Sequence, residues 1–115
     1  MCSNLSSITI PSTVTEIQNN AFAGCTNLNS IIIPENVKTI GDNVFKSCDN
    51  LNSIICKATT PPALEYVPNY YYFSSEVILG WPGNGTIYVP ITSIDIYKTA
   101  NGWKEYADRI QAIPE

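Results

Sequence analysis

The sequence predicts a β-rich solenoid: a stack of 23-residue coils with parallel strands, closed by a helical cap at its C-terminal end. Three observations predict it. Cys2, Cys25 and Cys48 are evenly spaced, and the residues around them repeat with them. The 115 residues hold 16 Ile against 5 Leu, and β-branched side chains favour pleated surfaces over helices. Only 14% of the chain is charged, and 12 Asn, 10 Ser and 10 Thr supply a neutral polar skin instead. With 44% apolar residues the chain can fill one modest core, so residues 1–115 read as a single domain.

The first unit, residues 2–24, reads CSNLSSITIPSTVTEIQNNAFAG, and the second, residues 25–47, reads CTNLNSIIIPENVKTIGDNVFKS. A third begins CDNLNSIICKATTPP. Leu5, Ile8 and Ile10 recur as Leu28, Ile31 and Ile33; the last two of each trio alternate with period 2, which marks one inward strand face. Pro11 and Pro34 lack an N–H and end the ladder. Residues 14–17 form a second short extended segment on the opposite side. Asn19, Asn20 and Gly24 supply turn chemistry around Phe22, whose ring plugs the coil interior. One such coil cannot bury its own faces. Stacking copies at the strand spacing of about 4.7–4.9 Å makes parallel sheets and a continuous core.

The third unit, residues 48–91, is irregular. The next strand that fits the pattern lies at 86–90, and the step from Ile54 to Ile87 is ten positions longer than one period. The aromatic insertion, residues 63–85, carries Tyr66, Tyr70, Tyr71, Tyr72, Phe73 and Trp81. It is either an enlarged coil or a loop outside the stack. Residues 92–115 read as the cap. Thr92 with Asp95 resembles a capping box, Gly102 breaks a first turn at 93–100, and Trp103, Tyr106, Ile110 and Ile113 recur as one helical face. The first unit has no such cover. This predicts a longer protein with further repeats upstream, and an N-terminal edge through which a homodimer could pair.

These repeated residues resemble the BspA-type leucine-rich repeats of bacterial surface proteins, whose units look like C-x-x-L-x-x-I-x-I-P-x-x-V-x-x-I-x-x-x-A-F-x-G. The resemblance is strong over residues 2 to about 60 and looser over 86–90 and the tail YKTANGWKEY. It implies a right-handed leucine-rich repeat solenoid, export to the cell surface and a role in adhesion or binding. It supplies no catalytic residues.

The chain has no histidine, so no His general base, His-activated nucleophile or imidazole metal site can form within it. A net charge of −4 with scattered Lys and Arg disfavours nucleic acid. No apolar run is long enough to span a bilayer. Neither catalytic residues, a metal site nor a cofactor is expected.

The cysteines read as a buried ladder of thiols, because stacked Cβ atoms run parallel and too far apart to bridge; Cys48–Cys56 is the least improbable bridge. Two surfaces are candidates for binding. One is the aromatic set Tyr70, Tyr71, Tyr72 and Trp81, which either meets a sugar or protein partner or forms the insertion's own core. The other is the outward column Thr9, Ile32, Ile55 and Tyr88, either an exposed contact stripe or a surface covered by the insertion. The expected function is a non-enzymatic adhesion module, extracellular on a bacterial surface, recognising a host or neighbouring-cell protein or glycan. The alternatives are a purely structural cap for a longer solenoid and a carbohydrate-binding accessory module of an enzyme.

Overall fold

The computed structural model describes residues 5–41, 43–64, 85–100 and 102–114, with Glu105 described by its backbone alone. In chain order the strands are β1 (Ser7–Thr9), β2 (Glu16–Ile17), β3 (Ser30–Ile33), β4 (Thr39–Ile40), β5 (Ser53–Cys56), β6 (Ala63–Leu64), β7 (Thr86–Val89) and β8 (Ile110–Ala112). Helix α1 (Ile94–Thr99) lies between the last two. The odd-numbered strands pair in the order β1-β3-β5-β7, with β8 added beyond β7, and β2-β4-β6 form a second sheet. Every pairing is parallel. Parallel strands in this register fit a repeat solenoid.

Register follows the repeat. Ile8 pairs with Ile31, Ile31 with Ile54, Ile54 with Ile87 and Ile87 with Ile110, so one isoleucine column crosses all five strands of the larger sheet. Ile31, Ile54, Ile87 and Ile110 are buried. Ile33, Cys56 and Val89 form a second buried column beside it. Leu28 and Leu51 extend the same core, and Phe22 stacks on Phe45 with centroids 6.1 Å apart and planes 10° apart.

Turns repeat as well. Asn20 and Asn43 adopt φ of 62° and 54°, and Gly24 and Ser47 adopt 82° and 64°, each pair one repeat apart. The left-handed region suits Gly and tolerates Asn, so the motif is kept with Ser47 as its strained member. Between units, Asn29 N–H donates to the Ser6 carbonyl, Asn52 N–H to that of Asn29, and Lys38 N–H to that of Thr15. Phe22 and Gly24 return bonds from their N–H groups to the carbonyls of Val44 and Lys46. In the smaller sheet Ile17 pairs with Ile40, but Ile40 pairs with Leu64, one residue later than the period requires. Pro61 and Pro62 cannot donate, and the strand resumes only after them.

Three expectations are corrected. The helical face through Ile113 is not one helix: α1 stops at Thr99, Gly102 turns the chain at φ 83°, residues Trp103–Arg109 wind as 3₁₀ turns, and Ile110–Ala112 is strand β8. The 3-4-3 spacing arose from a 3₁₀ segment followed by a strand. Ile110 faces inward because it stands one full repeat period after Ile87 and joins its ladder. The capping box does not form, since α1 has no side-chain cap bond and Thr92 sits inside the 3₁₀ turn Ile91–Ser93. The thiol ladder is broken, because Cys25 is disulfide-bonded whereas Cys48 and Cys56 are free thiols. Cys25 lies outside the strands, just after the left-handed Gly24, so the parallel Cβ vectors of a ladder do not apply there. Cys2 lies outside the described residues.

Candidate functional site

Alternation sends every second residue of the larger sheet outward. The same register that stacks Ile31 on Ile54 therefore aligns Thr9, Ile32, Ile55, Tyr88 and Gln111 on the outer face. Ser7, Ser30, Ser53 and Thr86 form a parallel column of hydroxyls two residues away. Ile32 is 45% exposed, Ile55 and Tyr88 are half-buried, and Thr9 and Gln111 are exposed. An aliphatic-aromatic stripe thus runs beside a polar one. The backbone beneath is fixed by ladder bonds, so these side chains are presented on a rigid support. Gln111 belongs to the column through β8, which the sequence pattern did not reveal.

The aromatic residues Tyr70, Tyr71, Tyr72 and Trp81 lie outside the described residues. So does the question of whether the insertion covers the column.

A second surface lies at the other side of the third unit. Glu35, Val37, Lys38, Ala58, Thr59, Thr60 and Pro61 line a shallow groove of about 230 Å³. Two of its lining residues, Ala58 and Thr59, also take part in fastening the C-terminal segment. The Tyr97 hydroxyl donates to the Ala58 carbonyl at 2.5 Å, Ser93 Oγ to that of Thr59 at 2.8 Å, and Trp103 Nε1 to that of Pro62 at 2.8 Å. The Tyr97 and Trp103 rings meet edge to face at 5.1 Å and 81°. Cys56 Sγ sits 3.2 Å from the Tyr97 hydroxyl. Burial pushes the Cys56 thiol and the Tyr97 phenol above their ordinary values, so both are held neutral. Sequence reasoning missed this anchor: its partners are far apart in the chain, and no periodicity links them.

Among the described residues no group of three or more His, Cys, Asp or Glu is placed to hold a metal ion, and no helix is long and apolar enough to cross a membrane. The arrangement offers contact area and hydrogen-bonding columns on a stiff sheet.

The family model for the BspA type leucine rich repeat region (6 copies) matches residues 1–78. The match covers more than half of the chain, and the chain belongs to that family. A search of the curated proteins finds no match.

Proposed function

We propose that this member of the BspA-type leucine-rich repeat family is a non-enzymatic binding module of an exported bacterial surface protein, built as a right-handed solenoid. It takes a host or neighbouring-cell protein or glycan on the outer face of the larger sheet. Ile32, Ile55 and Tyr88 supply the apolar contact, the Ser7, Ser30, Ser53 and Thr86 hydroxyls supply hydrogen bonds, and Tyr70, Tyr71, Tyr72 and Trp81 supply a second set of flat rings.

The observation that carries this reading is Ile32, a large aliphatic side chain left 45% exposed on a sheet whose inner face is filled. The backbone beneath these side chains is already ordered by the ladder bonds, so a partner that covers them orders side chains but no main chain. Hydroxyl columns both donate and accept, which suits sugar hydroxyls and peptide edges alike. The disulfide at Cys25 suits an oxidising setting outside the cell.

The test is binding of the labelled chain to a printed glycan array and to intact epithelial cells, beside an Ile32→Asp/Ile55→Asp double variant. Both substituted positions face outward, so the circular-dichroism spectrum is expected to be unchanged. Retention by glycan or cells that falls at least tenfold in the double variant supports the reading. Equal retention of the two proteins moves the contact surface elsewhere.

A further inference from the structure

The third unit departs from the repeat at one place, between the second unit's turn and its own. Lys57 N–H donates to the Ile33 carbonyl at 3.0 Å, and Ala63 N–H donates to the Lys38 carbonyl at 2.8 Å. Between these two bonds, residues 58–62 of the third unit face residues 34–37 of the second, so one side has a residue more than the other. The carbonyls of Ala58, Thr59 and Pro62 are turned to the C-terminal segment, where Tyr97, Ser93 and Trp103 hold them. The longer segment stands away from the second unit, and the space left is the groove of about 230 Å³.

The junction between the first two units shows which contact is missing there. Asn36 Nδ2 donates to the Ser12 carbonyl at 2.9 Å and ties one turn to the next. One period later the same positions hold Thr59 and Glu35. A threonine hydroxyl is one bond shorter than an asparagine amide and does not repeat the contact. Among the described residues the Glu35 carbonyl accepts no hydrogen bond. The apolar column stops as well: Val37 is buried, whereas Thr60, one period on, is exposed. Among the described residues no hydrogen bond or ion pair engages the side chains of Glu35, Lys38, Thr59 or Thr60. The lining therefore offers a carbonyl and a carboxylate that accept, an ammonium that donates and two hydroxyls that do both. Val37, Ala58 and Pro61 supply its apolar part.

We propose that this groove binds a single N-acetylated amino sugar. Such a ring carries the missing group, a secondary amide whose N–H donates to the Glu35 carbonyl as Asn36 does to that of Ser12. The acetyl methyl covers the apolar part of the lining, and the ring hydroxyls meet Glu35, Lys38 and the two threonines. One carboxylate and one ammonium match a ligand without net charge. Pockets for drug-sized ligands begin at about 300 Å³, so this groove suits one ring. The site is separate from the outer column of Ile32 and Ile55, and it stands whether or not that column takes a partner.

The test is a titration of the ¹⁵N-labelled full chain with N-acetylglucosamine and with N-acetylgalactosamine, followed by amide chemical shifts. The Val37, Ala58, Thr59 and Thr60 amides should shift saturably with a millimolar Kd, as a single ring with few contacts allows, while those of Ile32 and Ile55 stay in place. Glucose, which lacks the amide and the methyl, is expected to bind about tenfold more weakly or worse. Thr59→Asn restores the donor that the repeat carries and closes the groove, so the sugar-induced shifts should vanish while the thermal midpoint holds or rises. Thr59→Ser keeps the groove open and should keep binding. Glu35→Ala, at an exposed position, should weaken binding about fivefold or more, and it decides the matter if Thr59→Asn lowers the midpoint. The proposal is overturned if neither N-acetyl sugar gives saturable shifts, if glucose binds as well as they do, or if both Thr59→Asn and Glu35→Ala bind like the parent. Equal shifts from N-acetylalanine methylamide also overturn it, because the occupant is then a peptide.

Discussion

The first and second units are near-copies in sequence and opposites in environment. Leu5 and Leu28 sit at one repeat position, yet one is half exposed and the other fully buried, because the second unit has a neighbour on each side. In a repeat fold, then, a residue's energetic weight comes from its place in the stack as much as from its identity.

The largest effect should separate this pair. Leu28→Ala removes a packed side chain from between two units and is expected to cost about 3–4 kcal/mol, whereas Leu5→Ala costs under about 1 kcal/mol. Urea denaturation of both variants measures the difference, and equal losses would break the comparison. Next comes the inter-unit corner. Gly41→Ala forces a methyl group onto the Asn19 backbone and is expected to cost about 1–3 kcal/mol, while Gln18→Ala, its counterpart at the uncovered edge, stays within about 0.5 kcal/mol. A tolerated Gly41→Ala would mean that the units are further apart there than the backbone places them.

A third effect lies at the covered end. Tyr97→Phe leaves the Ala58 carbonyl without its donor and is expected to cost about 1–2 kcal/mol. It also changes the response to alkali. Cys56 and Tyr97 have folded values raised by burial above their ordinary 9.0 and 10.0. The stability held in their neutral forms is therefore complete below about pH 9 and is lost as pH rises, because the unfolded chain releases those protons first. The urea midpoint should fall between pH 8 and 10.5 in the parent and fall less in Tyr97→Phe. The smallest effect has the opposite sign. Ser47 holds φ 64° where the first unit has Gly24, so Ser47→Gly should add about 0.5–1 kcal/mol and Gly24→Ala should remove a similar amount.

What the sequence disclosed, and what it hid, divides along the same line between units. Apolar and turn residues that recur with the repeat period had legible roles: Ile8, Ile31 and Ile54 in the ladder, Phe22 stacked on Phe45, Asn20 and Asn43 in matched turns. The cysteines recur too, but their period did not tell the disulfide-bonded Cys25 from the free thiol of Cys48. The role of Ile110 was not legible, although it too follows Ile87 by one full period, because helix α1 and the 3₁₀ segment between them share no side chains with the earlier units. An intervening helical period masked a strand whose partner is set by tertiary register. The fastening of Tyr97, Ser93 and Trp103 to the carbonyls of Ala58, Thr59 and Pro62 escaped for a different reason. Its acceptors are backbone oxygens, which every sequence supplies and none announces. Of the candidate site, the column Ile32, Ile55 and Tyr88 was readable from alternation alone, and Gln111 joined it only with β8.

The most direct test of the account is a methyl NOE experiment on isoleucine-labelled protein, with signals assigned by single Ile→Val changes. In-register stacking places successive strands about 5 Å apart, so cross-peaks should link Ile8 to Ile31, Ile31 to Ile54, Ile54 to Ile87 and Ile87 to Ile110 in one unbroken chain. Absence of the Ile31–Ile54 or Ile87–Ile110 link, or links between residues one position out of register, would contradict it.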